Sequence, residues 1–470
     1  MKFTKRCIYF LSLLFLLLIF SKQIYAKDRV HIITVSSWSD AIILESDDHF
    51  AMIDTGEDYS YPDGNNPKYP VREGITKDPN LITEDRLFAH IKELGIKKLD
   101  FILLTHVHSD HTGAAADILK SIPTDKIYLK KYSDERISDK ERLWDNLYSY
   151  DKVLNAAKET NVDIIQDIKD SDSHIKLGNI SINLLNYKNE YDSDGNLKKV
   201  YDDNLNSILS VLNINNVKVF LGGDLENTDL KLEDYYAPLI GQVDVMKFNH
   251  HVETTKSNAT NFIDTLRPKY IIKTGIRPVE ENYKKYLDNK NIKIINAGRS
   301  DIKAVVLDFE NNSINDVSTQ YTHYGFYNEN NTLKFKNWNN NYPEKGWLQE
   351  NDNWYYIKGN GIVTVGWESI DGKYFYFNEN GTLHNGILED NGNTYYIDKN
   401  TGVLSDSWKK IDSSLKYFKK NGIMPKMNGK TFIILKKMVT LVKIDGWALF
   451  TQITREKLVS LITEITHLLY

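Results

Sequence analysis

Thr105-His106-Val107-His108-Ser109-Asp110-His111 is the stretch on which the reading of this chain turns. It follows the apolar run Phe101–Leu104, which reads as a strand, so three histidines and an aspartate leave one strand end together. The spacing suits two adjacent metal ions. His106 and His108 point to one site and Asp110 and His111 to the next, as nitrogen and oxygen ligands for zinc or a similar ion. A loop this dense in ligands is costly to order without a metal, which weighs against a polar loop with incidental histidines.

Further ligands follow in order. Val217–Phe220 runs into Leu221-Gly222-Gly223-Asp224, where the glycines let the backbone approach and the Asp224 carboxylate can offer an oxygen to each of two cations. The apolar run Val243–Phe248 leads to His250-His251. One of the pair completes the second metal site and the other faces the substrate as a proton donor. We take His251 as the ligand and His250 as the catalytic group. Asp54, ahead of Gly56, is a candidate to orient a metal-bound histidine from behind. His31, His49, His90, His174, His323 and His384 have no such company and read as ordinary core or surface residues.

Around these residues, from Arg29 to about Phe309, short β-branched runs alternate with helical stretches. Val30–Val35, Ala41–Leu44, Phe50–Ile53, Ser181–Leu185, Ile208–Leu212, Val217–Phe220, Tyr270–Ile272 and Ala304–Leu307 read as strands. Glu84–Leu94, Ala114–Leu119 and Glu141–Ala157 read as helices. Strands that often follow one another without a helix between them predict an α/β domain of mixed sheets with helices outside.

Beyond about Tyr321 the texture changes. Gly346-Trp347, Gly366-Trp367 and Gly386-Ile387 recur at about twenty residues, with Ser407-Trp408 one residue late, and an aromatic cluster follows each. Turns such as Asn360-Gly361, Asn380-Gly381 and Asn421-Gly422 close the units, so each repeat reads as a β-hairpin. Hairpins this short are not stable alone and must stack as a solenoid.

The N-terminus reads as an export signal: Lys2, Lys5 and Arg6 precede the apolar run Ile8–Phe20, and Ser21–Ala26 ends in a small residue suited to cleavage. That run is short for a membrane span, and no later segment could cross, so the mature chain is expected to lack a transmembrane segment. The single cysteine, Cys7, falls inside this signal, which leaves histidines and carboxylates to hold any metal. With 59 Lys and Arg against 64 Asp and Glu, the formal charge of −5 gives no sign of a nucleic-acid surface.

The His-x-His-x-Asp-His loop, the later Gly-Asp and the final His resemble the metallo-β-lactamase superfamily over roughly Val30 to Leu307. The resemblance implies a four-layer αββα sandwich with two divalent metals, zinc above all, at one sheet edge. One departure matters: the lactamase branch carries a further His between the loop and the Gly-Asp strand, and here that interval holds only His174, ahead of a strand. The first metal would then have His106, His108 and Asp224 as its protein ligands, an open site suited to a phosphoryl oxygen rather than to β-lactam hydrolysis.

The segments Phe50-Ala51-Met52-Ile53-Asp54-Thr55-Gly56-Glu57-Asp58, Tyr69-Pro70-Val71-Arg72-Glu73-Gly74, Leu129–Asp134, Glu141–Tyr148 and Met246-Lys247-Phe248-Asn249-His250-His251 narrow the match. With the repeats, they are similar to the teichoic acid phosphorylcholine esterases. That likeness implies release of phosphorylcholine from teichoic and lipoteichoic acids by a secreted protein attached non-covalently to the bacterial surface. It also implies that Trp347, Trp354, Tyr356, Trp367, Tyr374, Tyr376, Tyr396 and Trp408 build choline cages between hairpins. A quaternary ammonium donates no hydrogen bond and is held instead by aromatic faces. Ile387, where Trp is expected, marks a weakened cage. Two rival readings are a surface nuclease, which needs a basic groove, and a non-catalytic adhesin, against which the complete ligand set argues.

The expected organisation is therefore a signal at 1–26, a hydrolase domain at 27–318, repeats at 319–427 and an unrelated tail at 428–470. Back-translated and read two bases later, Asn428–Thr440 permits Trp-Lys-Asp-Phe-Tyr-Tyr-Phe-Glu-Glu-Asn-Gly-Asn, another aromatic hairpin. A frameshift that cut the array short is the expectation, with a tail never selected to fold. Sequencing the coding DNA checks it: a shifted frame that encodes no further repeats before a stop codon ends the idea.

Overall fold

Alternation along the strands dictates the layering. In the strand Ala41–Ser46, Ala41 and Ile43 turn to one face while Ile42 and Leu44 turn to the other, and all four are buried. The strand Val217–Leu221 does the same, with Val217, Val219 and Leu221 opposite Phe220. Strands apolar on both faces need cover on both. Here one face of each sheet meets the other sheet, through Val30, Ile32, Leu103, Ile182, Val219 and their neighbours. The outer faces carry helices, Thr83–Leu94 and Asn146–Glu159 on the first sheet and Leu232–Ile240 and Thr260–Leu266 on the second. The result is the α/β sandwich of mixed sheets expected.

The structure is a computed structural model that describes residues 27–33, 38–75, 83–275, 277–299, 301–321, 324–338, 340–350, 353–403, 407–411 and 414–425. The export segment 1–26 and the tail from 428 lie outside the described residues. The chain divides into two units, Met1–Thr322 and His323–Tyr470. In the first, one sheet runs antiparallel through Asp28–Ile33, Ala41–Ser46 and His49–Thr55 and then parallel through Leu99–Leu103, Thr124–Tyr128 and Asp163–Ile165. The second sheet mirrors this. It is antiparallel from His174–Leu177 to Val217–Leu221 and parallel through Val245–Lys247, Tyr270–Lys273 and Lys293–Asn296. Among the described residues no helix is long and apolar enough to cross a membrane.

The expected helix Glu141–Ala157 is interrupted. A single turn at Lys140–Arg142 is followed by Trp144 at φ 28°, and the α-helix starts only at Asn146. The cause is tertiary: the Trp144 ring turns onto the His108 ring, with centroids 4.8 Å apart.

In the second unit, hairpins follow one another: Gly325–Glu329 with Thr332–Lys336, Gly346–Glu350 with Asn353–Ile357, Gly366–Ile370 with Lys373–Phe377, Gly386–Asp390 with Asn393–Asp398, and Ser407–Ile411 with Ser414–Phe418. Asp371-Gly372 and Asn391-Gly392, with φ positive at both residues, form two of the tips, as tight hairpin turns require. The expected Asn-Gly turns lie elsewhere, in the connections. Each connection folds back on the preceding hairpin: Val363 N–H donates to Leu333 O at 2.9 Å, and Met424 N–H to Thr394 O at 2.8 Å. Gly361 and Gly402 sit at such crossings, where a Cβ would stand 2.5 Å from the oxygens of Phe335 and Tyr374.

Candidate metal centre and aromatic cages

The C-terminal ends of parallel strands in both sheets converge, as is usual for sites in open α/β sheets. The strand Leu99–Leu103 delivers the histidine loop, Val217–Leu221 delivers Asp224, and Val245–Lys247 delivers His250 and His251. His108 opens a short helix, Ser109–Thr112, whose first turn brings Asp110 and His111 inward. The loop is pinned from below, with Val107 N–H on Asp203 Oδ2 at 3.0 Å and Ile208 N–H on Thr105 O at 2.9 Å.

Asp110, His111, Asp224 and His251 each offer one ligand atom, and these atoms all lie within 4.8 Å of one another. His111 Nε2 and Asp224 Oδ1 stand 3.2 Å apart, both buried, yet neither makes a well-aligned hydrogen bond. His251 Nε2 lies 3.1 Å from Asp110 Oδ2 and 3.6 Å from Asp224 Oδ2. Beside this group, His106 Nε2 and His108 Nδ1 face each other at 3.1 Å. A nitrogen and oxygen donor set with orphaned buried atoms fits divalent cations.

Each imidazole is gripped at its outer nitrogen. His111 Nδ1 meets Asp54 Oδ2 at 2.7 Å, and Asp54 also accepts from Thr105 N and Oγ1, both at 2.8 Å. Since Thr105 Oγ1 donates to Asp54, it accepts from His106 Nδ1 at 3.0 Å. His108 Nε2 stands 3.2 Å from Asp202 Oδ1, and His251 Nδ1 stands 3.1 Å from Thr274 Oγ1 and 3.4 Å from Asp40 Oδ1. With a metal bound, the outer nitrogens would keep their protons and the inner lone pairs would face the cluster. Replacing Asp54 with Asn should weaken metal retention about 10- to 100-fold in a chelator competition. Unchanged retention would leave Asp54 with a role in the turn alone.

Charge is balanced against burial throughout. Burial disfavours a charged His251, but Asp224 and Asp40 outweigh it and push its pKa up to about 9. His111 is raised well above the imidazole range in the same way, burial being overcome by Asp224, Asp110 and Asp54. Asp224, although buried, is held well below the carboxylate range by His111, His251 and His250. His106 goes the other way, lowered by burial and by His111 and His108. The cluster thus holds positive charge tightly, whether as protons or as metal ions, and metal binding here must release protons.

His250 stands apart from its neighbour. It is partly exposed, with Nε2 3.8 Å from Asp224 Oδ2 and Nδ1 3.2 Å from the buried Glu226 Oε1. His250 and His251 both adopt left-handed φ, 50° and 59°, and so does Asp54 at 59°. Such conformations cost about 1–3 kcal/mol each and persist where surroundings over-determine them. Asp54 is held by Thr105 and His111, and the loop that carries the histidine pair is tied down by Glu233, which accepts from Asn249 Nδ2 at 2.8 Å, Asn258 N at 2.7 Å and Ala259 N at 2.9 Å. The glycines ahead of Asp224 are needed for closeness: a Cβ on Gly222 would meet Asn249 Oδ1 at 2.2 Å, and one on Gly223 would meet Thr105 Oγ1 at 2.8 Å.

An open cleft of about 510 Å³ reaches the cluster and is lined by Trp38, Glu57, Trp144, Arg142, Lys256, His108, His250 and His251, among others. His174, the one histidine between the loop and Asp224, is exposed at a strand start and meets Ser173 Oγ. Sequence reasoning missed Asp202, Asp40, Lys247 and Glu226. Asp40 and Lys247 form a fully buried pair at 2.5 Å beneath Asp224. The polar run Asp202–Ser207 directly before an apolar strand was the signal for the first of these, and Glu226, two residues after Asp224, for the last.

In the repeats, Trp347 lies opposite Tyr356, and Trp367 opposite Tyr376. Trp347, Trp354 and Phe375 line a recess of about 400 Å³, and Trp367, Tyr374 and Tyr395 line one of about 540 Å³. Phe375 and Tyr395, from the following hairpin, were not foreseen. They complete each recess by meeting the tryptophan at centroid distances of 5.1 and 5.0 Å. Tyr396 lies opposite Ile387, under the Lys409 ammonium. Trp408 pairs with Tyr417 in the last hairpin, and its side chain lies outside the described residues.

Residues 39–260 match the Metallo-beta-lactamase superfamily, 364–407 the choline-binding repeat and 345–363 a cell wall binding repeat. ComE operon protein 3 of Bacillus subtilis (strain 168) is 27% identical over 221 residues, 47% of this chain and 25% of that protein, so the chain spans about a quarter of the curated relative it matches. Among solved structures, the metallo-beta-lactamase fold protein YhfI from Bacillus subtilis is similar at 12% identity, with a TM-score of 0.37 over 60% of this chain and 99% of that one. Choline binding protein F from Streptococcus pneumoniae, crystallised with a peptidoglycan analogue, is similar at 22% identity and a TM-score of 0.20, covering 27% and 45%. The loop, the strand ends and the hairpins thus compose a domain of metallo-beta-lactamase fold followed by β-hairpin repeats of the choline-binding type.

Proposed function

We propose that the first unit is a phosphodiesterase that releases phosphorylcholine from choline-bearing teichoic and lipoteichoic acids, and that the repeats hold it on those polymers at the cell surface. One observation carries the reading: a single chain joins a metal-type cluster at the floor of an open cleft to aromatic-lined recesses, and aromatic faces are what hold a quaternary ammonium.

His106 and His108 would hold one divalent cation and Asp110, His111 and His251 a second, zinc in each case, with Asp224 shared. Bound there, such ions supply Lewis acidity and an activated water, and offset the charge of the phosphodiester. The chain does the rest. Asp54, Thr105, Asp202 and Thr274 fix the imidazoles in the tautomers that present their lone pairs. His250, backed by Glu226 and open to the cleft, is placed to deliver a proton to the departing alkoxide. The buried Lys247 ammonium limits the excess of negative charge under Asp224.

Metal analysis of the pure protein, paired with phosphorus NMR of its reaction with choline-bearing teichoic acid, tests this. Two divalent equivalents and free phosphorylcholine are expected. A metal-loaded protein that releases none would overturn the assignment.

A further inference from the structure

The formal charge of −5 conceals two cations in the wall of the cleft. The Arg142 guanidinium stands 5.8 Å from the centroid of the Tyr201 ring, and the Lys256 ammonium 5.3 Å from the same centroid. Each gains from the ring. Among the described residues no ion pair joins Lys256 to a carboxylate. Arg142 has two, Asp202 Oδ2 at 3.7 Å and Asp139 Oδ2 at 3.8 Å, and both approach Nε.

Both cations are built into the scaffold of the metal centre. Asp202 meets His108 with one oxygen and Arg142 with the other. Lys256 belongs to the loop that begins with His250 and His251, and its carbonyl accepts Asn227 N–H at 2.6 Å. A wall held this way stands at a set position relative to whatever phosphorus atom lies over the cluster.

We propose that Arg142 and Lys256, which both line the cleft and both approach the Tyr201 ring, form an anion subsite that takes a second phosphate of a repeating phosphodiester chain while the first lies at the metal centre. The inference rests on the phosphodiesterase reading and adds its substrate preference: a polyanionic chain over an isolated ester. A phosphate lying along this wall would gain charge-assisted hydrogen bonds from both cations. An ester with a neutral leaving group leaves the subsite empty and forgoes that gain.

The test compares the full chain with Lys256→Ala, Lys256→Glu and Lys256→Arg on choline-bearing teichoic acid and on a chromogenic phosphorylcholine ester, at low and high salt. All four proteins carry the same repeats, so tethering cancels in the comparison. In Lys256→Ala the KM for the polymer should rise about tenfold more than the KM for the ester. Lys256→Glu should exceed that ratio and Lys256→Arg restore it, and the salt dependence of the polymer KM should flatten in the first two. If both substrates are affected equally, the subsite is wrong and the phosphodiesterase reading stands. If the wild-type protein releases phosphorylcholine from neither substrate, the phosphodiesterase reading falls, and the subsite with it.

Discussion

Replacing His108 with alanine should lower turnover of a chromogenic phosphorylcholine ester by about 10³-fold or more, because metal-based stabilisation of the transition state is worth several kcal/mol. His108 supplies one of the two inner nitrogens beside the Asp224 cluster, and its outer nitrogen is spoken for by Asp202. The same variant should bind a choline matrix as the parent does, since the repeats form a separate unit. Metal content by mass spectrometry distinguishes a lost ion from a misplaced one. Full activity with full metal content would falsify the two-metal assignment.

A chain ended after Thr322 should still turn over the small ester but no longer stick to choline-bearing surfaces. The place of the cut matters. Thr319–Gln320 pairs with Ile302–Asp308, Tyr321 N–H donates to Asp301 O at 2.9 Å, and the Tyr321 ring lies under Arg86, so an end at Ser318 would strip the sheet edge. On immobilised polymer at low enzyme concentration the shortened protein should lose about 10²- to 10⁴-fold in apparent binding, the usual worth of a tether. Loss of the small-ester activity as well would mean that the repeats help build the active site.

What could be read in advance follows a simple division. The histidine loop and Gly222-Gly223-Asp224 were legible because each directly follows an apolar run and packs its chemistry into consecutive positions. The layering was legible for a similar reason: alternation is a local property. Asp202, Asp40 and Lys247 act across the fold and leave no periodic trace, so only the folded chain shows them beside His108, His251 and Asp224. Trp144 shows the opposite failure. Helical periodicity carried through it, but its contact with His108 prevailed over the local preference. In the repeats, aromatics on one face of each hairpin could be seen, while Phe375 and Tyr395, on the other face of the following hairpin, depended on the stacking.

The back-folded connections between hairpins bear on how the attachment would behave under load. Because Val363 bonds to Leu333 and Met424 to Thr394, each hairpin is stitched to its predecessor, and stability accrues boundary by boundary. Pulled from the far end, such an array would yield in steps, one seam opening while those earlier in the chain stay closed. Grip on a surface under flow would then be graded by copy number, and whole units could be gained or lost without disturbing a single residue of the metal centre.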